Sequence, residues 1–153
     1  MRIVRSIFPA AFMLAWAIWL SSCQTARIAE ADPAALQAVA ALKVETVALM
    51  AKAGEPFAQH QAEVDAVNAR MSTAYELAAS TPNNELVARE WVVMRDPERN
   101  LYGGFVKRWQ ANGAIGRAFR EEASAQVAEG FDYIICLEQA KRSGAPCATG
   151  LAQ

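Results

Sequence analysis

Apolar residues in most of this chain return every three or four positions, in long runs that only Pro and Gly interrupt. That spacing is one face of a 3.6-residue helix, and it commits those runs to helices packed side by side. In the first run, Leu36, Val39, Leu42, Thr46, Leu49, Met50 and Ala53 make an inner face, with Gln37, Ala41, Glu45, Ala48 and Lys52 behind. Asp32 suits the N-cap and Pro33 the first helical position. Gly54 suits a left-handed cap, and Pro56 cannot continue the same ladder. A second run, Pro56 to Ala79, places Phe57, Val64, Met71 and Ala78 at sevens, with His60, Val67 and Ala74 between them. The short junction makes the two helices an antiparallel hairpin.

Ser80 to Asn84 reads as a loop. A short helix follows from Glu85 to Arg95, presenting Val87, Trp91 and Met94, and Asp96-Pro97 ends it. Gly103-Gly104 reads as a break, because paired glycines make poor helix and good turns. The last helix, Ala114 to Arg142, carries Ile115, Phe119, Ala123, Val127, Phe131 and Ile134 near one stripe. Residues 131–137 are rich in β-formers, but no second strand exists to pair with them, so they read as helix. The expected fold is all-α: an antiparallel helical bundle of three long helices plus one or two short ones, occupying residues 32–153.

The N-terminus is of another kind. Arg2 and Arg5 precede fourteen uncharged residues, Ile7 to Leu20, and then Ser21, Ser22 and Cys23. This is the layout of a secretory signal, and it is short for a membrane span of about 20 residues. Leu20-Ser21-Ser22-Cys23 resembles the lipobox of bacterial lipoproteins. The resemblance implies that residues 1–22 are a signal peptide removed before Cys23. It implies a diacylglycerol thioether on Cys23, usually with acylation of the new amino group. Residues 23–31 would then be a lipidated tether, with the membrane as first partner through the lipid anchor. Gln24, rather than Asp, after the cysteine favours the outer membrane in this family.

Removing residues 1–22 takes away two arginines and no acid, so the mature chain is mildly acidic. Residues 89–120 differ, with seven bases against three acids. Lys107, Arg108, Arg117 and Arg120 in this stretch are candidates for docking an anionic envelope component or protein partner, and Tyr102, Phe105 and Trp109 lie among them. The alternative is that these bases pair with acids of neighbouring helices while the aromatics enter the core. Export argues against nucleic acid as a partner.

Chemistry-bearing motifs are scarce. His60 is the sole histidine. With no HExxH and no CxxCH, no metal site and no cofactor are expected, and His60 reads as a partly exposed seam residue. A serine nucleophile needs a base in reach, usually His, and no Gly-x-Ser-x-Gly occurs. No catalytic residue can be named. Cys136 and Cys147 remain once Cys23 is lipidated, and an oxidising compartment would let them close a disulfide. The expected function is a lipid-anchored binding or structural component facing the periplasm. The alternatives are an enzyme acting on an envelope polymer through carboxylates, and a bundle carrying an apolar small molecule.

Overall fold

The computed structural model describes residues 28–147. Among the described residues are five α-helices and no strand: α1 Pro33–Ala51, α2 Phe57–Ser80, α3 Glu85–Arg95, α4 Tyr102–Asn112 and α5 Arg117–Ser143. The all-α bundle of three long and two short helices is as expected. α1 packs along α5 and α2, α3 leans on α2 and α5, and α4 touches α2, α3 and α5. The expected signal peptide, residues 1–22, and Cys23 lie outside the described residues.

Each helix follows its apolar stripe. Val39, Leu42, Thr46, Leu49 and Met50 of α1 are buried, as are His60, Val64, Val67, Met71 and Ala78 of α2. Trp91, Trp109, Tyr102 and Phe131 are the largest side chains in the core. By length and composition, Pro33–Gly54 is apolar enough to cross a membrane. In the bundle it packs along α5 and α2 through Val39, Leu42, Thr46, Leu49 and Met50, while much of its remaining surface, Val44 included, is exposed.

α1 begins as its sequence dictates: the Asp32 side chain accepts the Ala34 N–H at 2.8 Å. Its end differs from expectation. Gly54 does not take a left-handed conformation, and residues Lys52–Gly54 tighten into a 3-10 turn. The polar groups of this junction are satisfied from afar. The Ala53 carbonyl accepts from Ile115 N–H and the Phe57 N–H donates to the Gly113 carbonyl, both at 2.7 Å. A tertiary clamp thus replaces the local cap.

Gly103 and Gly104 do not break the chain; they form the first turn of α4. A β-carbon on Gly103 would overlap the Arg95 carbonyl, and one on Gly104 the Arg99 carbonyl. The pair is there because backbone passes against backbone. Residues 131–137 are helical within α5. Ile115 precedes α5, and Phe119 is 39% exposed, stacked on Phe105 at 6.4 Å. Ala29, within the stretch expected to be a tether, is buried.

Candidate functional site

α1 and α2 are held closely at their junction and lined with small residues towards the other end. Ala35, Ala38 and Ala41 on α1 face Ala74, Leu77 and Ala78 on α2 across a trough of about 320 Å³. That volume is at the lower end of ligand pockets, about 300–1,000 Å³. Short alanine side chains leave the space; Trp91 of α3 contributes aromatic wall, set by its edge-to-face contact with Phe131 at 5.8 Å. The rim carries Glu30, Asp32, Arg70, Thr73 and Thr81. Arg70 is ion-paired with Glu45, and the Thr81 hydroxyl donates to the Leu77 carbonyl.

Two polar features interrupt the apolar wall. The first is an ion pair between Lys141 and Glu138, 2.6 Å apart, with side chains 6% and 4% exposed. One helical turn separates them on α5, so each charge is neutralised where water is excluded. The second is Asn84, 6% exposed. Its carbonyl starts α3 by accepting the Ala88 N–H, but among the described residues its side-chain amide has no hydrogen-bond partner. Asn84 and Lys141 line the trough and also a second cleft, formed with Ile28, Tyr133 and Leu137.

The four bases nominated from sequence are engaged within the chain. Lys107 pairs with Glu98 at 2.6 Å and Arg117 with Glu121 at 2.7 Å. The Arg108 guanidinium lies over the Phe119 ring, 4.3 Å from its centre. Arg120 donates to the Ile115 carbonyl at 3.1 Å. Tyr102, Phe105 and Trp109 are all buried.

His60 is buried rather than partly exposed. Its Nε2 lies 2.7 Å from a Glu55 carboxylate oxygen and its Nδ1 3.0 Å from one of Glu63. These two acceptors raise its pKa, the Glu63 hydrogen bond most. Glu63 is held below the usual range, first by Lys52 and then by His60. No group of three metal-binding side chains occurs among the described residues.

Cys136 and Cys147 form a disulfide, with α-carbons 5.9 Å apart. Left-handed Gly144 ends α5 and turns the chain back towards Cys136. Sequence reasoning missed Asn84, Glu138 and Lys141. An (i, i+3) Glu–Lys pair near a helix end ordinarily signals a solvated face, and only its position opposite α1 reveals it as buried. No protein-family model, no curated protein and no solved structure matches this chain.

Proposed function

We propose that this chain is a lipid-anchored envelope protein whose helical domain binds a small apolar ligand in the trough between α1, α2, α3 and α5. The trough carries the reading. The surface it exposes is mostly that of alanine, leucine, valine and tryptophan, although polar residues stand at its rim, the pattern of a site that binds by burial. The acids that line it are not poised for hydrolysis: Asp32 caps α1, Glu138 is paired with Lys141, and Glu30 is on the exposed rim. This favours carriage over catalysis. Anchoring rests on Cys23 and its resemblance to a lipobox; two or more acyl chains suffice for stable attachment.

The test uses the full chain in lipid nanodiscs, released into native mass spectrometry with 1-dodecanoylglycerol as probe. The wild type should carry one probe molecule. Ala38→Phe and Ala41→Phe fill the trough from exposed positions, so they should fold as judged by circular dichroism and lose the probe. Undiminished binding by both would end the reading. Labelled palmitate should enter the wild type and not Cys23→Ser.

A second reading is favoured by Arg108 over the part-exposed Phe119, a cation–aromatic stack on the basic stretch. It would dock an anionic envelope partner beside Lys107, Arg117 and Arg120. Arg108→Glu should then reduce recovery of crosslinked partners, and added salt should do the same.

A further inference from the structure

The trough's polar groups discriminate among the head groups an apolar ligand could bring. We infer that the ligand is a neutral amphiphile: one aliphatic chain ending in a hydroxyl, ester or amide that hydrogen-bonds the Asn84 side chain. The inference rests on the ligand-binding reading of the trough and specifies its chemistry.

Asn84 is the uncharged polar side chain on the inner wall of the trough. A primary amide offers two donors and one acceptor oxygen. An amide with no partner in the chain is satisfied only by water or by a ligand, and a ligand that displaces the water must replace its hydrogen bonds. Asn84 is 94% shielded and its side chain makes no hydrogen bond among the described residues, yet its amide atoms are not closed off from solvent, so they open into the clefts that the residue lines. It does not serve the helix start either, since its side chain makes no capping bond to α3. A head group with both donor and acceptor would satisfy it.

Charge decides against ions. The buried charges on the trough wall, Glu138 and Lys141, already neutralise one another. At the rim Arg70 is committed to Glu45. A carboxylate head would compete with Glu138 for Lys141, or leave Glu138 buried and unpaired, and both outcomes are costly. It would also face Glu30 and Asp32 at the rim. An ammonium head would meet Lys141 in the same confined space. A neutral head imports no charge and so escapes these penalties.

The chain of such a ligand would lie along Ala38, Ala41, Ala74 and Leu77, with the Trp91 ring at its side. Alanine matters here because a methylene chain needs room along its whole length. Leu77 is 49% exposed in the free protein and would be covered by an occupant.

The experiment offers the full chain in nanodiscs equal amounts of 1-dodecanoylglycerol, dodecanoate and dodecylammonium, and reads bound species by native mass spectrometry. The wild type should select the monoacylglycerol over either ion by about tenfold or more, the scale on which hydrogen-bonding sites reject mismatched ligands. Asn84→Leu should still bind a chain, with the preference for the neutral head reduced severalfold but not abolished, because Glu138, Lys141 and the rim acids still oppose ions. Equal binding of all three by the wild type would sink the inference while leaving the trough a hydrocarbon site. Preference for dodecanoate would reassign Lys141 as an anion contact, and preference for dodecylammonium would assign the rim acids. Selectivity unchanged in Asn84→Leu would also overturn it. Loss of all three probes would instead be failure of the ligand-binding reading itself.

Discussion

The indole N–H of Trp109 donates to the backbone carbonyl of Glu55 at 3.0 Å, across 54 positions of sequence. The Glu55 side chain meanwhile reaches His60, whose ring lies 5.6 Å from the indole. One residue of the α1–α2 junction is thus held by its backbone to α4 and by its carboxylate to α2. This clasp sits at the junction between α1 and α2. Trp109→Phe removes the donor but keeps an aromatic ring. It should destabilise by about 1–3 kcal/mol, as expected for a part-buried carbonyl left without its partner. Trp109→Ala also opens a cavity and should lose about 3–5 kcal/mol. Urea unfolding followed by circular dichroism measures both. Equal losses for the two variants would show that packing, and not the hydrogen bond, sets the effect.

The same clasp makes stability depend on pH. His60 has a folded-state pKa above its ordinary 6.5. Its contribution is therefore fully present below about pH 6.5 and is lost as pH rises through the raised value. Glu63 is held below its ordinary 4.5, so its contribution is present above about pH 4.5 and is lost as pH falls through the lowered value. Stability contributed by the clasp should be greatest between these two limits. As the sole histidine, His60 can be titrated directly by NMR. The His60→Gln urea midpoint should fall less than that of the wild type between pH 6 and 9. Parallel curves would remove His60 as the cause.

Gly103 and Gly104 give a sharp test of close packing. Each alanine substitution pushes a methyl group into backbone that cannot rotate away. A loss of about 1–3 kcal/mol is expected for each, as for other overpacked sites. Gly116→Ala is the control, because nothing stands within 4 Å of its added carbon. It should change stability by less than about 0.5 kcal/mol. Thermal melts that rank the control with the other two would contradict the account.

These glycines also show where sequence reading stops. Val39, Leu42, Val64 and Met71 declare their burial through spacing, which any packed helix must obey. Gly103-Gly104 carries two meanings, a turn or a close approach, and only the path of residues 95–99 separates them. Gly54 misled for a related reason: its cap is supplied by residues near 113–115, far along the chain. The disulfide was legible because a helix end and a glycine bring Cys147 back to Cys136 locally. The trough was not legible. Its alanines look like helix filler until four helices place them opposite one another, and the spacing of Lys141 from Glu138 is that of an exposed pair.

Cys136 and Cys147 are 11 positions apart and pin the tail to α5. Restricting so short a loop in the unfolded chain stabilises by about 2–3 kcal/mol in the chain-entropy account. Cys136→Ser/Cys147→Ser should lower the urea midpoint to that extent, with α1 to α4 still helical. Peptide mapping of protein prepared without reductant should find the two fragments linked. Two freely alkylated thiols would refute the bridge in the native protein.

The Glu138–Lys141 pair separates a structural role from a ligand role. Both charges are shielded from water, so breaking the pair from one side leaves an uncompensated ion. Lys141→Met should therefore be strongly destabilising, by about 3–5 kcal/mol. The double variant Glu138→Leu/Lys141→Met removes both charges and fills a similar volume. Its stability should return close to that of the wild type, or exceed it, because apolar packing often equals or betters a buried ion pair. The double variant should still bind the monoacylglycerol, since Asn84 is untouched, and hold the chain at least as tightly in a more apolar trough. If the double variant folds normally yet loses the monoacylglycerol, Lys141 or Glu138 contacts the ligand directly and the head-group assignment moves from Asn84 to α5. If Lys141→Met alone is as stable as the wild type, water reaches Glu138 in solution and the trough is wetter at this wall than its geometry implies.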